Sequence, residues 1–110
     1  MYNRGNIVTV PVPFTDLSAT KKRPVLVISN DAHNSTYPDM IVAAVTSNLF
    51  QHGIPITQNE MKHGQLPKPS IIRCDKIFTL DQSIVVKSIG NITDNVLDLV
   101  RTEIIKLITG

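Results

Sequence analysis

The chain of 110 residues is long enough for one domain with a single hydrophobic core. Apolar residues make up 42% of it and charged residues 18%, which excludes an intrinsically disordered chain. The net charge of +2 permits a nucleic-acid partner without requiring one. The single cysteine, Cys74, predicts a reducing compartment, and no apolar run approaches the roughly 20 residues that cross a bilayer. We expect a cytoplasmic protein whose one domain covers residues 1–110, with no membrane partner.

Short β-prone stretches fill most of the chain. They predict strands at residues 6–13, 25–29, 40–47, 54–57, 70–80 and 83–92. Polar stretches rich in turn formers predict loops at residues 14–22, 30–39 and 58–69. Prolines at positions 11 and 13 predict an edge strand or a bend, because proline cannot donate to a sheet ladder.

The C-terminal stretch changes from a strand period to a helical one. Apolar residues recur there every three or four positions, at Val96, Val100, Ile104 and Leu107. Thr93 is a suitable N-cap, so the pattern predicts a helix over residues 93–108. Short strands followed by one terminal helix predict a mainly β domain, either a small twisted sheet or a partly open barrel, with the helix packed on it.

The densest cationic cluster lies directly before the most apolar strand. Lys21, Lys22 and Arg23 precede Pro24, which we expect at the first position of a strand that is buried on both faces. Arg23 would then extend from a rigid part of the fold, where it could hold an anion. The same pattern also fits a solvated loop before a core strand.

The strand at residues 70–80 carries a second polar pair. Its period of two places Arg73 and Asp75 on one face, with Cα atoms about 6.6 Å apart, where they could flank a phosphate and its neighbouring hydroxyl. Cys74 falls on the opposite face and is expected to be buried. Thr46 and Ser47 end another strand and could offer hydroxyl groups to a phosphate. An ordinary surface ion pair and a loop cap explain these residues equally well.

The sequence lacks the usual signatures of metal and cofactor sites. Its histidines, His33, His52 and His63, do not have the spacing of a zinc site, and its glycines are too scattered for a phosphate-binding loop. We therefore expect neither a metal nor a cofactor.

Taken in order, these segments resemble the MazF/PemK/Kid toxins of bacterial type II toxin–antitoxin pairs. The matching segments are Gly5-Asn6-Ile7-Val8, Arg23-Pro24-Val25-Leu26-Val27-Ile28, Val45-Thr46-Ser47, Ser70-Ile71-Ile72-Arg73-Cys74-Asp75-Lys76-Ile77 and Thr79-Leu80-Asp81, followed by Gly90 and the closing helix. The resemblance implies an SH3-like, partly open barrel like that of MazF and CcdB, and a homodimer. It further implies a metal-independent endoribonuclease that cleaves single-stranded mRNA through a 2′,3′-cyclic phosphate.

The resemblance also implies site residues and a protein partner. Arg23 matches the family's active-site arginine, Thr46 its partner threonine, and Arg73 and Asp75 the acid–base pair proposed for the Kid branch. We assign RNA contacts beside them to the following residues: Lys21, Lys22, Ser47 and Ser70. A cognate antitoxin is expected to occupy the cleft with its disordered tail, and DNA to be contacted only through that antitoxin. Residues 16–22 lack the glycine, glutamate, glutamine and histidine that family members carry before this arginine.

The chemistry leaves the proton transfers open. An ordinary aspartate has a pKa of about 3.9 and an arginine one above about 12, so neither matches neutral pH. We expect Arg23 and Arg73 to hold the phosphate, Thr46 to position it, and Asp75 to accept a proton from the ribose 2′-OH or to orient that hydroxyl.

A non-catalytic toxin of the same fold, like the gyrase inhibitor CcdB, is the alternative function. That relative uses a tryptophan near its C-terminus, and this chain has no tryptophan. A small barrel that only binds RNA or peptide is a third possibility, favoured if Arg23 and Asp75 face away from a common cleft.

Overall fold

The computed structural model describes residues 1–13 and 20–110. Within them the strands are β1 (Asn6–Pro13), β2 (Thr20–Val27), β3 (Asp39–Thr46), β4 (Ile54–Ile56), β5 (Met61–Gly64), β6 (Ser70–Asp81) and β7 (Lys87–Ile92). The helices are α1 (Asp31–Thr36) and α2 (Asp94–Ile108), with single 3-10 turns at Gln58–Glu60 and Gln82–Ile84. The predicted mainly β domain with a C-terminal helix is confirmed.

The described strands form one curled antiparallel sheet in the order β4-β6-β3-β2-β1-β7-β5. The two short strands, β4 and β5, lie at its edges. The longest strand, β6, pairs with β3 along most of its length. This arrangement is the expected partly open barrel.

Apolar side chains cover both faces of the sheet. One cluster includes Leu26 and Ile72 and packs against Val96 and Val100 of α2. The other lies on the opposite face and includes Val25 and Val27 with residues of β1 and β3. The prediction that both faces of this β2 segment are buried is therefore confirmed.

One of the two predictions about prolines needs correction. Pro24 is in the middle of β2, not at its first position, because the strand already begins at Thr20. It pairs with Thr9 of β1, whereas β3 pairs with β2 only from Val25 onward. Pro24 therefore has a strand on one side only, where its missing backbone N–H is tolerated. The prediction for the prolines at positions 11 and 13 agrees with the sheet: β7 pairs with β1 only as far as Thr9, so in the described ladders this end of β1 pairs with β2 alone, as an edge does.

Part of the predicted loop over residues 14–22 also proves wrong. Its residues 20–22 belong to β2, and its residues 14–19 lie outside the described part of the chain.

The loop predicted over residues 30–39 contains helix α1. Asn30 caps this helix by accepting a hydrogen bond from the His33 backbone N–H at 2.8 Å. The buried Asn34 side chain then donates to the Ser29 and Tyr2 carbonyls. These tertiary contacts stabilise a single short helix in a sequence rich in turn formers.

Two further boundaries differ from the predictions. The connection predicted over residues 58–69 contains β5, which pairs with β7 where Gly64 lies opposite Gly90. A Cβ on Gly90 would lie 2.1 Å from the His63 carbonyl oxygen, so only glycine permits this close approach. The strand predicted over residues 83–92 begins only at Lys87, because Asp81 caps a 3-10 turn before it.

The terminal helix agrees with its sequence pattern except at one position. The Thr93 side chain caps α2, and Val96 and Val100 are buried as predicted. Leu107 is exposed instead. Among the described residues, no helix has the length and apolarity that crossing a membrane requires.

Candidate active site

Three of the predicted site residues lie on one face of the sheet. Val25 of β2 is opposite Ala44 of β3, and Ala44 is opposite Arg73 of β6. Directly paired residues point to the same face. Arg23 and Thr46 lie two residues beyond the Val25–Ala44 pair in the same direction, so strand alternation places both on the face of Arg73.

The spacing of the strands sets the distance between the two arginines. Neighbouring strands lie about 4.8 Å apart and same-face residues about 6.6 Å apart, so the Arg23 and Arg73 Cα atoms are roughly 12 Å apart. Ala44 of β3 lies between the two arginines. Because its side chain is only a methyl group, no large side chain separates them at this position.

The Arg73 guanidinium is fixed by two neighbours. Its Nε and NH2 atoms donate to the two Asp75 carboxylate oxygens, each at 3.1 Å, in a bidentate pair. Its NH1 atom donates to the Gln51 side-chain carbonyl. Only 9% of the Arg73 side chain is exposed, compared with 33% of the Asp75 side chain. Arg73 therefore holds the Asp75 carboxylate in one orientation while leaving it accessible.

A break in the sheet register accompanies this pair. Ala43 is opposite Ile77, but the next residue, Ala44, is opposite Arg73. Residues 74–76 therefore bulge out of the ladder with β3. Bulges of this kind re-aim side chains and are common beside active sites. Along β6, Asp75 follows Arg73 in the direction that leads away from Arg23 and Thr46.

His52 completes this cluster. Its Nε2 atom lies 2.9 Å from Asp75 Oδ2, and 77% of its side chain is exposed. No sequence pattern predicted a role for His52 or Gln51. Gly53 was the one local signal: a Cβ there would lie 2.2 Å from the Ile72 carbonyl oxygen, so the segment before β4 approaches β6 closely only because this residue is glycine.

Two neighbouring residues, Asp75 and Cys74, have shifted pKa values. Hydrogen bonds from Arg73 and then from His52 hold the pKa of the Asp75 carboxyl well below its usual range. Burial, with smaller contributions from Glu103 and Asp75, raises the pKa of the Cys74 thiol to about 11. At neutral pH, Asp75 is therefore a weakly basic carboxylate and Cys74 a neutral thiol, buried on the opposite face as predicted.

A groove of about 250 Å³ has Arg23 in its lining, but neither Thr46 nor Arg73. Its lining includes four predicted residues, Lys22, Arg23, Ser47 and Ser70, together with Lys68, which the sequence analysis did not select. A separate cavity of about 220 Å³ contains Asp75, His52 and Glu103. The structure thus places the predicted residues in two groups, which share no lining residue, rather than in one cleft.

The two remaining predicted residues lie at the margins of these groups. Lys21 is exposed on β2, outside the lining of the groove. Thr46 is half-buried, and its hydroxyl oxygen accepts a hydrogen bond from the Asn48 backbone N–H at 3.1 Å. The Thr46 O–H can still donate to a ligand. In the described part of the chain, no three His, Cys, Asp or Glu residues come together as a metal site would require.

The sequence as a whole matches one protein family. The model of the PemK-like, MazF-like toxins of type II toxin–antitoxin systems covers residues 3–108. The chain belongs to this family.

Solved structures of PemK/MazF-type proteins have the same fold. A chain of the MazE–MazF complex from Deinococcus radiodurans is 22% identical, with a TM-score of 0.76 over 96% of this chain and 94% of that one. An endoribonuclease from a mycobacterial species, in complex with its cognate antitoxin, is 17% identical, with a TM-score of 0.75 over 96% and 93%. The Mycobacterium tuberculosis toxin MazF-mt6 is 21% identical, with a TM-score of 0.70 over 93% of each chain. These similarities confirm the predicted MazF-like barrel.

Proposed function

We propose that this PemK/MazF-family protein is an endoribonuclease toxin that cleaves single-stranded RNA, including mRNA, without a metal. Family membership supports the toxin assignment, and the mycobacterial relative is an endoribonuclease. The observation that carries the proposal is the bidentate Arg73–Asp75 pair, held on the sheet face that also carries Arg23 and Thr46. This arrangement combines fixed positive charge with an accessible carboxylate.

The proposed reaction is attack of a ribose 2′-OH on the adjacent phosphodiester. It yields a 2′,3′-cyclic phosphate and a 5′-OH end. Such a reaction needs a proton acceptor, a proton source and positive charge near the phosphoryl oxygens, all of which can be supplied without a metal. Single-stranded RNA is the proposed substrate because the attacking ribose must be free to adopt an in-line geometry, and because its unstacked bases can be read.

The positive charge that binds the sugar–phosphate chain comes from residues on both sides of Ala44. Arg23 and the Thr46 hydroxyl bind the sugar–phosphate chain on one side. Arg73 binds it on the other, with the N–H groups of its terminal nitrogens that Asp75 and Gln51 leave free. The lysine ammonium groups and serine hydroxyls of the neighbouring groove, from Lys22, Ser47 and Ser70, extend this contact along the RNA, and Lys21 adds charge at its margin.

Asp75 orients the reacting groups instead of serving as the main base. Its lowered pKa makes the carboxylate a poor proton acceptor at neutral pH. Both of its oxygens already accept hydrogen bonds, from Arg73 and His52.

An end-mapping experiment tests the proposed activity. The purified protein is incubated with a long single-stranded RNA in EDTA, and the product ends are identified. We expect 2′,3′-cyclic phosphate and 5′-OH ends, with an Arg23→Ala protein purified in parallel to exclude contaminating nucleases. Absence of cleavage would leave the non-catalytic, CcdB-like toxin as the better assignment. Cleavage only after addition of a divalent metal would contradict the metal-free mechanism.

A second experiment tests the role of the 2′-OH. A DNA oligonucleotide with one ribonucleotide at the cleavage position is expected to be cut, and its 2′-deoxy and 2′-O-methyl versions are expected to remain intact. Cutting of the all-DNA strand would contradict 2′-OH attack.

We further propose that a cognate antitoxin blocks the groove and that DNA is contacted only through the antitoxin. Lys22, Arg23 and Lys68 offer positive charge there, while Leu66 and Ile89 offer apolar surface, so an extended acidic segment with apolar side chains is complementary. The expected consequence is that a Lys22→Glu, Lys68→Glu protein retains less antitoxin on copurification than the wild type.

We also propose that the toxin is a cytoplasmic homodimer. Exposed apolar side chains on α2, among them Leu99 and Ile105, offer surface that a second copy could cover. Sedimentation equilibrium of the toxin alone would test the dimer.

A further inference from the structure

We propose that His52 is a catalytic residue of this ribonuclease: the Nδ1 atom of its imidazole takes the proton of the attacking 2′-OH, while Asp75 holds Nε2. This inference rests on the proposed function and deepens it.

The tautomer follows from the partner of His52. A carboxylate can only accept hydrogen bonds, so the 2.9 Å contact between Nε2 and Asp75 Oδ2 requires the proton on Nε2. In the neutral imidazole, Nδ1 then carries the lone pair. A general base needs this free lone pair, held at a fixed orientation by a neighbour on the other ring nitrogen.

The cluster is rigid at one end and open at the other. Gln51 and Asp75 hold the nearly buried Arg73, and Arg73 holds the Asp75 carboxylate with two hydrogen bonds. His52 is attached to this carboxylate and is 77% exposed. The buried part therefore fixes the geometry, and the imidazole is the part that a substrate can reach.

The charged groups that face His52 come from two elements, β6 and α2. Asp75 of β6 and Glu103 of α2 line the same cavity, and both are acidic. Asp75 accepts the hydrogen bond from Nε2 in the neutral imidazole and in the protonated one. Arg73, which pairs with Asp75, is the cationic group beside it. Cys74 also lines the cavity, and its raised pKa keeps it neutral.

The reaction is balanced with His52 as the base. The 2′-oxygen forms a bond to phosphorus as its proton moves to His52 Nδ1. The bond from phosphorus to the 5′-oxygen breaks, and that oxygen takes a proton from water. The imidazolium then releases its proton to the solvent.

A second His–Asp pair provides a matched control. His33 Nε2 lies 3.2 Å from Asp39 Oδ1, but Asp39 is at the opposite end of β3 from Thr46, and His33 packs against Tyr37. Replacing His33 by Gln removes an imidazole from the same kind of pair without affecting the proposed site.

The test measures single-turnover cleavage of the DNA strand that carries one ribonucleotide. We expect His52→Gln to slow the reaction by about 10²–10⁴-fold and to abolish the rise in rate between about pH 5 and 8, where imidazole titrates. His33→Gln should keep the wild-type rate and pH profile. Because His52 is exposed, the His52→Gln protein should bind the 2′-deoxy strand and unfold as the wild type does.

A substrate with sulfur in place of the bridging 5′-oxygen distinguishes whether His52 acts as a general base or as a general acid. Its thiolate leaves without needing a proton, so only the loss of a general base should slow its cleavage. His52→Gln should slow this substrate as much as the normal one. Recovery of the wild-type rate on the sulfur substrate would overturn the base assignment. An unchanged rate and pH profile on the normal substrate would overturn any role of His52 in proton transfer. If the wild type cleaves no RNA, the proposed function itself fails, which is a different result.

Discussion

Arg23 and Arg73 lie on one face of the sheet, but their surroundings differ. Arg73 is nearly buried and bound to Asp75 and Gln51, so its first role is to fix the carboxylate. Arg23 is exposed near the end of β2 that carries the lysine pair. An arginine in that setting can serve RNA binding without supporting the core.

Replacing Arg23 tests this difference. We expect Arg23→Ala to reduce cleavage by at least about 10²–10³-fold, the usual cost of removing one donor to a developing charge. Its free energy of unfolding should change by no more than about 0.5 kcal/mol, as for other exposed residues. Arg23→Lys should recover only part of the activity, because lysine cannot make a bidentate phosphate contact. Cleavage rates and urea denaturation measure both effects, and full activity of Arg23→Ala would remove the residue from the site.

The substitution Asp75→Asn removes the negative charge of this side chain and keeps its shape. Binding of the 2′-deoxy strand should be unchanged or slightly tighter, because a negative charge near the phosphate is removed. Single-turnover cleavage should slow by about 10²–10⁴-fold, because His52 loses the carboxylate that fixes its tautomer.

Arg73→Ala is the matched comparison. It should weaken both binding and cleavage, because a phosphate contact acts in the ground state and in the transition state alike. An Asp75→Asn protein that cleaves at the normal rate would leave Asp75 with a purely structural role.

Among the secondary-structure elements, the segment between β3 and β4 does most to assemble the site. It begins directly after Thr46 and brings Gln51 and His52 to the bulge of β6. Gly53 makes this possible, with a φ of +148° and no side chain between the segment and the Ile72 carbonyl. The bulge turns Asp75 away from the β3 ladder toward the same segment.

Gly53→Ala is therefore expected to disconnect the segment from the site. The added methyl group would meet backbone rather than a flexible side chain, so the segment must shift. We expect a loss of about 1–3 kcal/mol in the free energy of unfolding, together with a fall in cleavage rate similar to that of His52→Gln. Gly110→Ala is a suitable control, because nothing lies near its Cβ position. A Gly53→Ala protein with wild-type stability and rate would contradict this account.

At the scale of the whole molecule, the Arg73–Asp75–His52 cluster makes stability depend on pH. Because the folded state lowers the pKa of Asp75, folding favours the ionised carboxylate. The resulting stabilisation is fully present above the ordinary pKa of about 3.8 and is lost as the pH falls through the lower folded-state pKa.

The wild type should therefore exceed Asp75→Asn in stability most clearly at pH 5–7, and the difference should shrink as the pH falls below about 4. Urea denaturation of both proteins at pH 7, 5 and 3 measures the change. Asp98→Asn, on the exposed side of α2, controls for the loss of one negative charge. A difference that grows with falling pH would contradict the lowered pKa.

The sequence by itself determined the features that depend on local period and on family motifs. Runs of β-branched apolar residues identified the central strands, the strand period of two brought Arg73 and Asp75 together, and helical spacing identified α2. The motifs between Gly5 and Gly90 identified the family, and with it the fold. These features were predictable because the buried face of a strand or helix recurs at a fixed period within a few consecutive residues.

Only the tertiary structure decided which distant residues meet. His52 and Gln51 are 23 and 22 residues from the side chains that they contact, and no local pattern connects them. The bulge in β6, the short helix α1 and the edge strand β5 depend in the same way on partners elsewhere in the sheet. Such contacts form because the whole sheet brings the segments together, so local periodicity carries no information about them.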